Sequence, residues 1–68
     1  MANSAIKLGE NIRRIREEKG MTQIELCRKL KVDRAYMSNV ENGKKNPTLS
    51  TIEKIAKALG VSLEELMK

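Results

Sequence analysis

The stretch VDRAYMSNVENG, Val32 to Gly43, carries the side chains of this chain best suited to recognition chemistry. At about 100° per residue around a helix axis, Arg34, Ala35, Ser38, Asn39 and Asn42 fall on one side. Asp33, Tyr36, Met37 and Val40 fall on the other. The first group contains no acid. It gathers a guanidinium, amides, a hydroxyl and a methyl, the groups that match base edges in a DNA major groove: Arg to guanine, Asn to adenine, Ala to the thymine methyl. On an isolated helix the same face would more often be an ordinary solvated one, so its surroundings must decide between the two uses.

Catalytic chemistry is poorly supplied. The chain has no His, one Cys and no glycine-rich phosphate loop, which leaves no tuned acid, base or nucleophile and no cluster with metal-ligand spacing. No enzymatic activity, catalytic residue, cofactor or metal is therefore expected. Cys27 lies beside Leu26 on the inward side of its segment, where a small hydrophobe is wanted, whereas a reactive thiol needs an accessible, electropositive setting. A single cysteine forms no internal disulfide, which fits a reducing compartment. No uninterrupted apolar run exceeds three residues, so neither a signal-peptide core nor a transmembrane helix is expected, and the expected location is cytoplasmic.

Charge points to the class of partner. The 68 residues hold 14 Lys and Arg against 9 Asp and Glu, a formal charge of +5. Six of the cations lie between Arg28 and Lys45, opposed there only by Asp33 and Glu41. That excess favours a polyanion such as nucleic acid or an anionic membrane. A membrane-surface role fits poorly, because the apolar stripes described next are all needed for a core. A chain of this length holds one small domain, expected to span residues 1–68, without room for a separate ligand-sensing domain, so no small-molecule ligand is expected.

The elements that must position the Arg34 face are helical. From Ser4 to Lys19, Ala5, Leu8, Ile12 and Ile15 recur at spacings of three and four, and Gly20 stops the run. Thr22 and Glu25 form a Thr-x-x-Glu capping box ahead of Leu26, Cys27 and Leu30. Asp33 caps the next helix and Gly43 ends it, followed by the loop GKKNPT. Thr48 or Ser50 caps a fourth helix with an apolar stripe of Leu49, Ile52, Ile55, Ala56 and Leu59, closed by Gly60. Ser62 and Glu65 make a second capping box, opening a short last helix with Leu63, Leu66 and Met67. The expected fold is all-α with five helices. Its core must be aliphatic, since Phe and Trp are absent.

Two short helices with Val32 plugging the corner between them, TQIELCRKLKVDRAYMSNVENG, spell a helix-turn-helix over about residues 22–42. In that motif the second helix enters the major groove and the first crosses the backbone. On KGMTQIEL, VDRAYMSNVENGKKNPTL and IEKIAKALGVSLEEL the chain resembles the Cro/cI-type (Xre) helix-turn-helix regulators of bacteria and phages, from about Leu8 to Leu66. DRAYMS, followed by NPTLSTIEKIAKALGV, is also similar to the controller proteins of restriction-modification systems, a branch of the same family.

The resemblance implies a compact lambda-repressor-like domain and a transcriptional regulator that binds double-stranded DNA. Base contacts are implied for Arg34, Ala35, Ser38 and Asn39. Backbone or mixed contacts are implied for Thr22, Gln23, Tyr36, Asn42, Lys44, Lys45 and Asn46, with Gln23 bonding a phosphate and bracing the recognition helix. The loop from Asn42 to Asn46 is expected to meet phosphates through backbone N–H groups and lysines. Arg16 and Glu41 occupy positions that pair in the family, a structural ion pair holding the end of the recognition helix to the first helix. Recognition positions that hold glutamine in some relatives are Arg34 and Ala35 here, so the preferred site does not transfer from any relative. A homodimer on a partly palindromic operator is expected, with Leu63, Leu66 and Met67 as its possible interface, although the same side chains could instead close a monomer's core. The rival reading is a protein-interaction module of the same fold, such as an antitoxin or a bridging adaptor.

Overall fold

A computed structural model describes residues 4–68. Among these residues the order is α1 (Ser4–Glu18), α2 (Gln23–Leu30), α3 (Arg34–Glu41), α4 (Leu49–Leu59) and α5 (Leu63–Met67), with no strand. Local chemistry sets the starts. The Thr22 hydroxyl accepts from the Glu25 N–H at 3.1 Å while the Glu25 carboxylate accepts from the Thr22 N–H at 2.8 Å, and Ser62 with Glu65 repeats the arrangement. Asp33 accepts from the Tyr36 N–H at 2.7 Å, and Thr48, rather than Ser50, caps α4.

The stops share a wrapped geometry in which two N–H groups beyond the last turn satisfy helical carbonyls. After α3, Gly43 N–H donates to Val40 O and Lys44 N–H to Asn39 O. After α2 the left-handed position falls on Lys31, at φ 59°, the one non-glycine positive φ among the described residues. Leu30-Lys31-Val32 holds no glycine that would have marked that turn.

Ile12, Leu26, Met37, Ile55 and Leu66 have no exposed surface, and Leu8, Ile15, Cys27, Val40, Ile52, Ala56 and Leu59 complete an aliphatic core. Burying each larger side chain contributes about 1.5–3 kcal/mol. Two expectations change. Leu49 leaves the α4 stripe and is 60% exposed, because it sits in the first turn, about 70° round from the centre of that stripe. Leu66 is sealed inside the single chain, which removes it from the candidate dimer interface; Leu63 is half-buried and Met67 is 50% exposed.

Helix α1 is the hub, packing on α3, α4 and α5, while α2 packs on α3 and α4. Besides the buried Arg16, two α1 residues outside its apolar stripe make close contacts. Gly9 is buried where α1 meets the carbonyls of Val40 and Glu41 at the end of α3. Asn11, also buried, donates from its amide to the Leu66 carbonyl at 2.9 Å and so holds the last turn of α5.

Candidate nucleic-acid interface

Helix α3 presents one face outward because its opposite side is consumed by the core. Met37 and Val40 are buried and Tyr36 is half-buried, while Arg34 and Ala35 are exposed and Ser38 and Asn39 half-buried. Burial therefore singles out Met37 and Val40 from the side that the periodicity turned inward, whereas Asp33 of that group is exposed as the cap, and Glu41 is a buried acid at the helix end. The Asn42 amide donates to the Ser38 hydroxyl at 3.5 Å, and the Asn39 amide makes no side-chain bond among the described residues. An unengaged amide beside a hydroxyl keeps its donor and acceptor for an external partner.

A chain of polar contacts fixes this helix from both ends. Arg16 donates to Glu41 twice, Nε to Oε2 at 2.8 Å and Nη2 to Oε1 at 3.2 Å, and its Nη1 donates to the Met21 carbonyl at 2.8 Å. The side chains of Arg16 and Glu41 are 10% and 4% exposed, so the pair is buried and bidentate. The hydrogen bond to Glu41 raises the Arg16 pKa, outweighing the opposing effect of burial, and the guanidinium stays charged. Gln23 extends the chain: its Nε2 donates to Glu41 Oε1 at 3.1 Å, and its Oε1 accepts from Arg34 Nε at 3.4 Å. One amide at the start of α2 thus touches the last residue of α3 and the first. With Nε turned to Gln23, the terminal Arg34 nitrogens remain to meet an acceptor pair such as guanine O6 and N7.

In the loop after α3, four of the five backbone N–H groups from Asn42 to Asn46 already have acceptors within the chain. The N–H groups of Asn42, Gly43, Lys44 and Lys45 are spent on Ser38, Val40, Asn39 and Asn39 carbonyls, at 3.0, 3.1, 2.8 and 3.3 Å. Helix termination has claimed those donors, and the ammonium groups of Lys44 and Lys45 are the exposed cations of this loop. The Lys45 ammonium lies 5.9 Å from the centre of the Tyr36 ring, a cation–π distance that ties the loop to the edge of α3. Thr22 is exposed, but its N–H is occupied by the capping box.

Cys27 lies outside this surface. It is buried, with its thiol 3.8 Å from the Asp33 carbonyl, and burial pushes its pKa up. A raised thiol pKa means less thiolate at any given pH in the folded chain than in the unfolded one. Iodoacetamide at mildly alkaline pH should therefore label native Cys27 at least about tenfold more slowly than denatured chain. Equal rates before and after denaturation would show the thiol to be open.

Among the described residues no group of His, Cys, Asp and Glu is placed to hold a metal ion, and no helix is long and apolar enough to cross a membrane. Sequence reasoning missed Gly9 and Asn11, because a glycine and an asparagine within a helix carry no local sign of the backbone that approaches them.

Comparison with known proteins gives a consistent result. The family model HTH_3, described as helix-turn-helix, matches residues 12–66. Control protein C.MunI of a Mycoplasma species is 37% identical over 67 residues, covering 97% of this chain and 90% of that protein. The immunity repressor of Bacillus phage phi105 is 37% identical over 60 residues, 88% of this chain, but the chain spans only 42% of the repressor's length. The crystal structure of the restriction-modification controller protein C.AhdI from Aeromonas hydrophila superposes with a TM-score of 0.86 at 37% identity, covering 91% of this chain and 94% of that one.

Proposed function

The chain belongs to the HTH_3 helix-turn-helix family of DNA-binding transcriptional regulators, which are not enzymes, and from that premise we propose that it acts as a cytoplasmic homodimer on a partly palindromic operator. Helix α3 lies in the major groove, with two copies reading half-sites about 10 bp apart on one face of the duplex. The observation that carries this reading is the acid-free outer face of α3, held in place by Gln23 and the buried Arg16–Glu41 pair.

The roles follow from side-chain chemistry. Arg34 donates to guanine O6 and N7, Asn39 pairs with adenine N6 and N7, Ala35 meets a thymine methyl, and Ser38 adapts to either partner. Tyr36, Asn42 and Asn46 contact the backbone or a neighbouring base, Lys44 and Lys45 neutralise phosphates, and Thr22 and Gln23 meet a phosphate at the start of α2. Leu63 and Met67 are the apolar side chains of α5 left accessible for a second copy. The likeness to controller proteins and to a phage repressor supports regulation of transcription through operator binding.

Selection of bound duplexes from a randomised pool of about 30 bp, at low and near-physiological salt, tests the proposal, because nonspecific phosphate binding collapses as salt rises. A two-fold symmetric motif enriched at the higher salt is the expected result. Binding that disappears with salt and leaves no motif defeats operator recognition, and sedimentation as a monomer well above operator-binding concentrations defeats the dimer for free protein.

Single substitutions separate reading from anchoring. Arg34→Ala should lose about 1–3 kcal/mol on the best site and relax preference at one base pair. Lys45→Ala should weaken all sequences alike and reduce the salt slope by about one unit. Uniform loss across sequences for Arg34→Ala would make Arg34 a phosphate contact.

A further inference from the structure

A second cationic surface lies apart from the residues assigned to DNA. Between the end of α2 and the outer side of α4, an open groove of about 370 Å³ is lined by Lys29, Leu30, Lys31, Lys54, Lys57 and Ala58. None of the residues expected to touch DNA lines it. No acid lines it either, and the ion pairs among the described residues, Arg13–Glu17, Arg14–Glu18 and Arg16–Glu41, leave all four of its lysines without a carboxylate partner.

Helix dipoles explain only part of this cluster. Lys29 and Lys57 fall in the last turns of α2 and α4, where a cation complements the carbonyl end of a helix. Lys54 sits in the middle of α4, and Lys31 occupies the left-handed turn position that a glycine would fill with less strain. The floor matters as much as the rim. Leu30 and Ala58 are packed against the core yet only half-buried, so apolar surface lies open among four ammonium groups.

We propose that this groove docks an acidic amphipathic segment of a protein partner, its carboxylates meeting Lys29, Lys31, Lys54 and Lys57 and an apolar side chain covering Leu30 and Ala58. A phosphate backbone would satisfy the charges but has nothing to lay on the floor. A carboxylate-flanked aliphatic or aromatic side chain matches both features, as in groove recognition of amphipathic helices. On this geometry the partner and the duplex are bound on separate surfaces at the same time.

The test uses the full chain with labelled methyl groups and a short peptide in which paired glutamates alternate with paired leucines. The peptide should shift the Leu30 and Ala58 methyls and leave Ala35 unmoved, with or without bound duplex. Lys54→Glu combined with Lys57→Glu, both on exposed positions, should weaken the peptide at least about tenfold without altering the fold. Polyglutamate, which has charge but no apolar side chain, should bind more weakly than the peptide, and duplex alone should shift Ala35 but not Leu30 or Ala58. The proposal is overturned if the peptide moves no groove methyl at about 1 mM, if polyglutamate matches it, or if duplex shifts the groove methyls. Because Ala35 reports the duplex independently, failure of the groove and failure of the DNA reading give different spectra.

Discussion

Gly9→Ala should lower the melting temperature by about 10 °C, although the same change on an exposed helix surface would add about 1 kcal/mol through helix propensity. An added Cβ would stand 2.6 Å from the Glu41 carbonyl oxygen and 2.8 Å from its carbon, with Val40 O closer still. Those are backbone atoms, which cannot turn aside as a flexible side chain would, so α1 and α3 must separate. Overpacking of this kind costs about 3 kcal/mol, leaving a net loss of about 2 kcal/mol after the propensity gain. At roughly 4–8 °C per kcal/mol in a domain this small, the shift is easily read by thermal circular dichroism, with exposed Glu10→Ala as the control. An unchanged or raised melting temperature would mean that the two helices do not approach as closely as the structure places them.

Gly9 also marks the limit of what the sequence reveals. Helix positions were legible because their causes are local: apolar spacing, Thr22 with Glu25, Asp33, Thr48, and Ser62 with Glu65 each act within a turn or two of chain. The outer face of α3 was legible for the same reason, since one helical period sorts Met37 and Val40 from Arg34 and Ala35. Features that depend on a distant segment left no such trace. Nothing near Asn11 in the chain points to the Leu66 carbonyl, 55 positions away, that its amide meets. For Leu66 the sequence left a dimer interface and a monomer's core both open, and only the fold of α5 against α1 decides for the core. Lys31 gave no sign of its left-handed turn, because only the wrapped carbonyls of Cys27 and Arg28 reveal it.

The candidate site shows the same division. The choice of α3 as recognition helix came from its own residues and from the two-helix motif around it. Periodicity alone did not couple Gln23 to both ends of α3, since its amide bridges Glu41, 18 positions later, and Arg34, 11 positions later. The loop N–H donors show the reverse case, a local use that the resemblance did not reveal. Family resemblance offered the N–H groups from Asn42 to Asn46 to phosphates, but those of Asn42, Gly43, Lys44 and Lys45 also end α3, and a donor already facing a carbonyl at about 3 Å has less to offer DNA.

Glu41→Ala should be the most damaging single change, costing about 3–5 kcal/mol, because it strands the Arg16 guanidinium in a buried setting without its counter-charge. A domain of this length has a total stability of about 3–10 kcal/mol, so the variant should lose a third or more of it and melt far below the parent. Glu41→Gln should lose less, since an amide oxygen still accepts from Arg16. Replacing both partners by apolar residues of similar volume, Arg16→Met with Glu41→Leu, should recover much of the loss, because the cost lies in the unpaired charge more than in the absence of attraction. Denaturant melts of the three variants beside the parent check this order. Even the apolar pair should bind DNA less selectively, however, since Gln23 then loses its bond to Glu41 and Arg34 its fixed neighbour. An unchanged melt for Glu41→Ala together with an altered site preference would move Glu41 from the scaffold to the reading surface, and the buried pair would no longer explain how α3 is held.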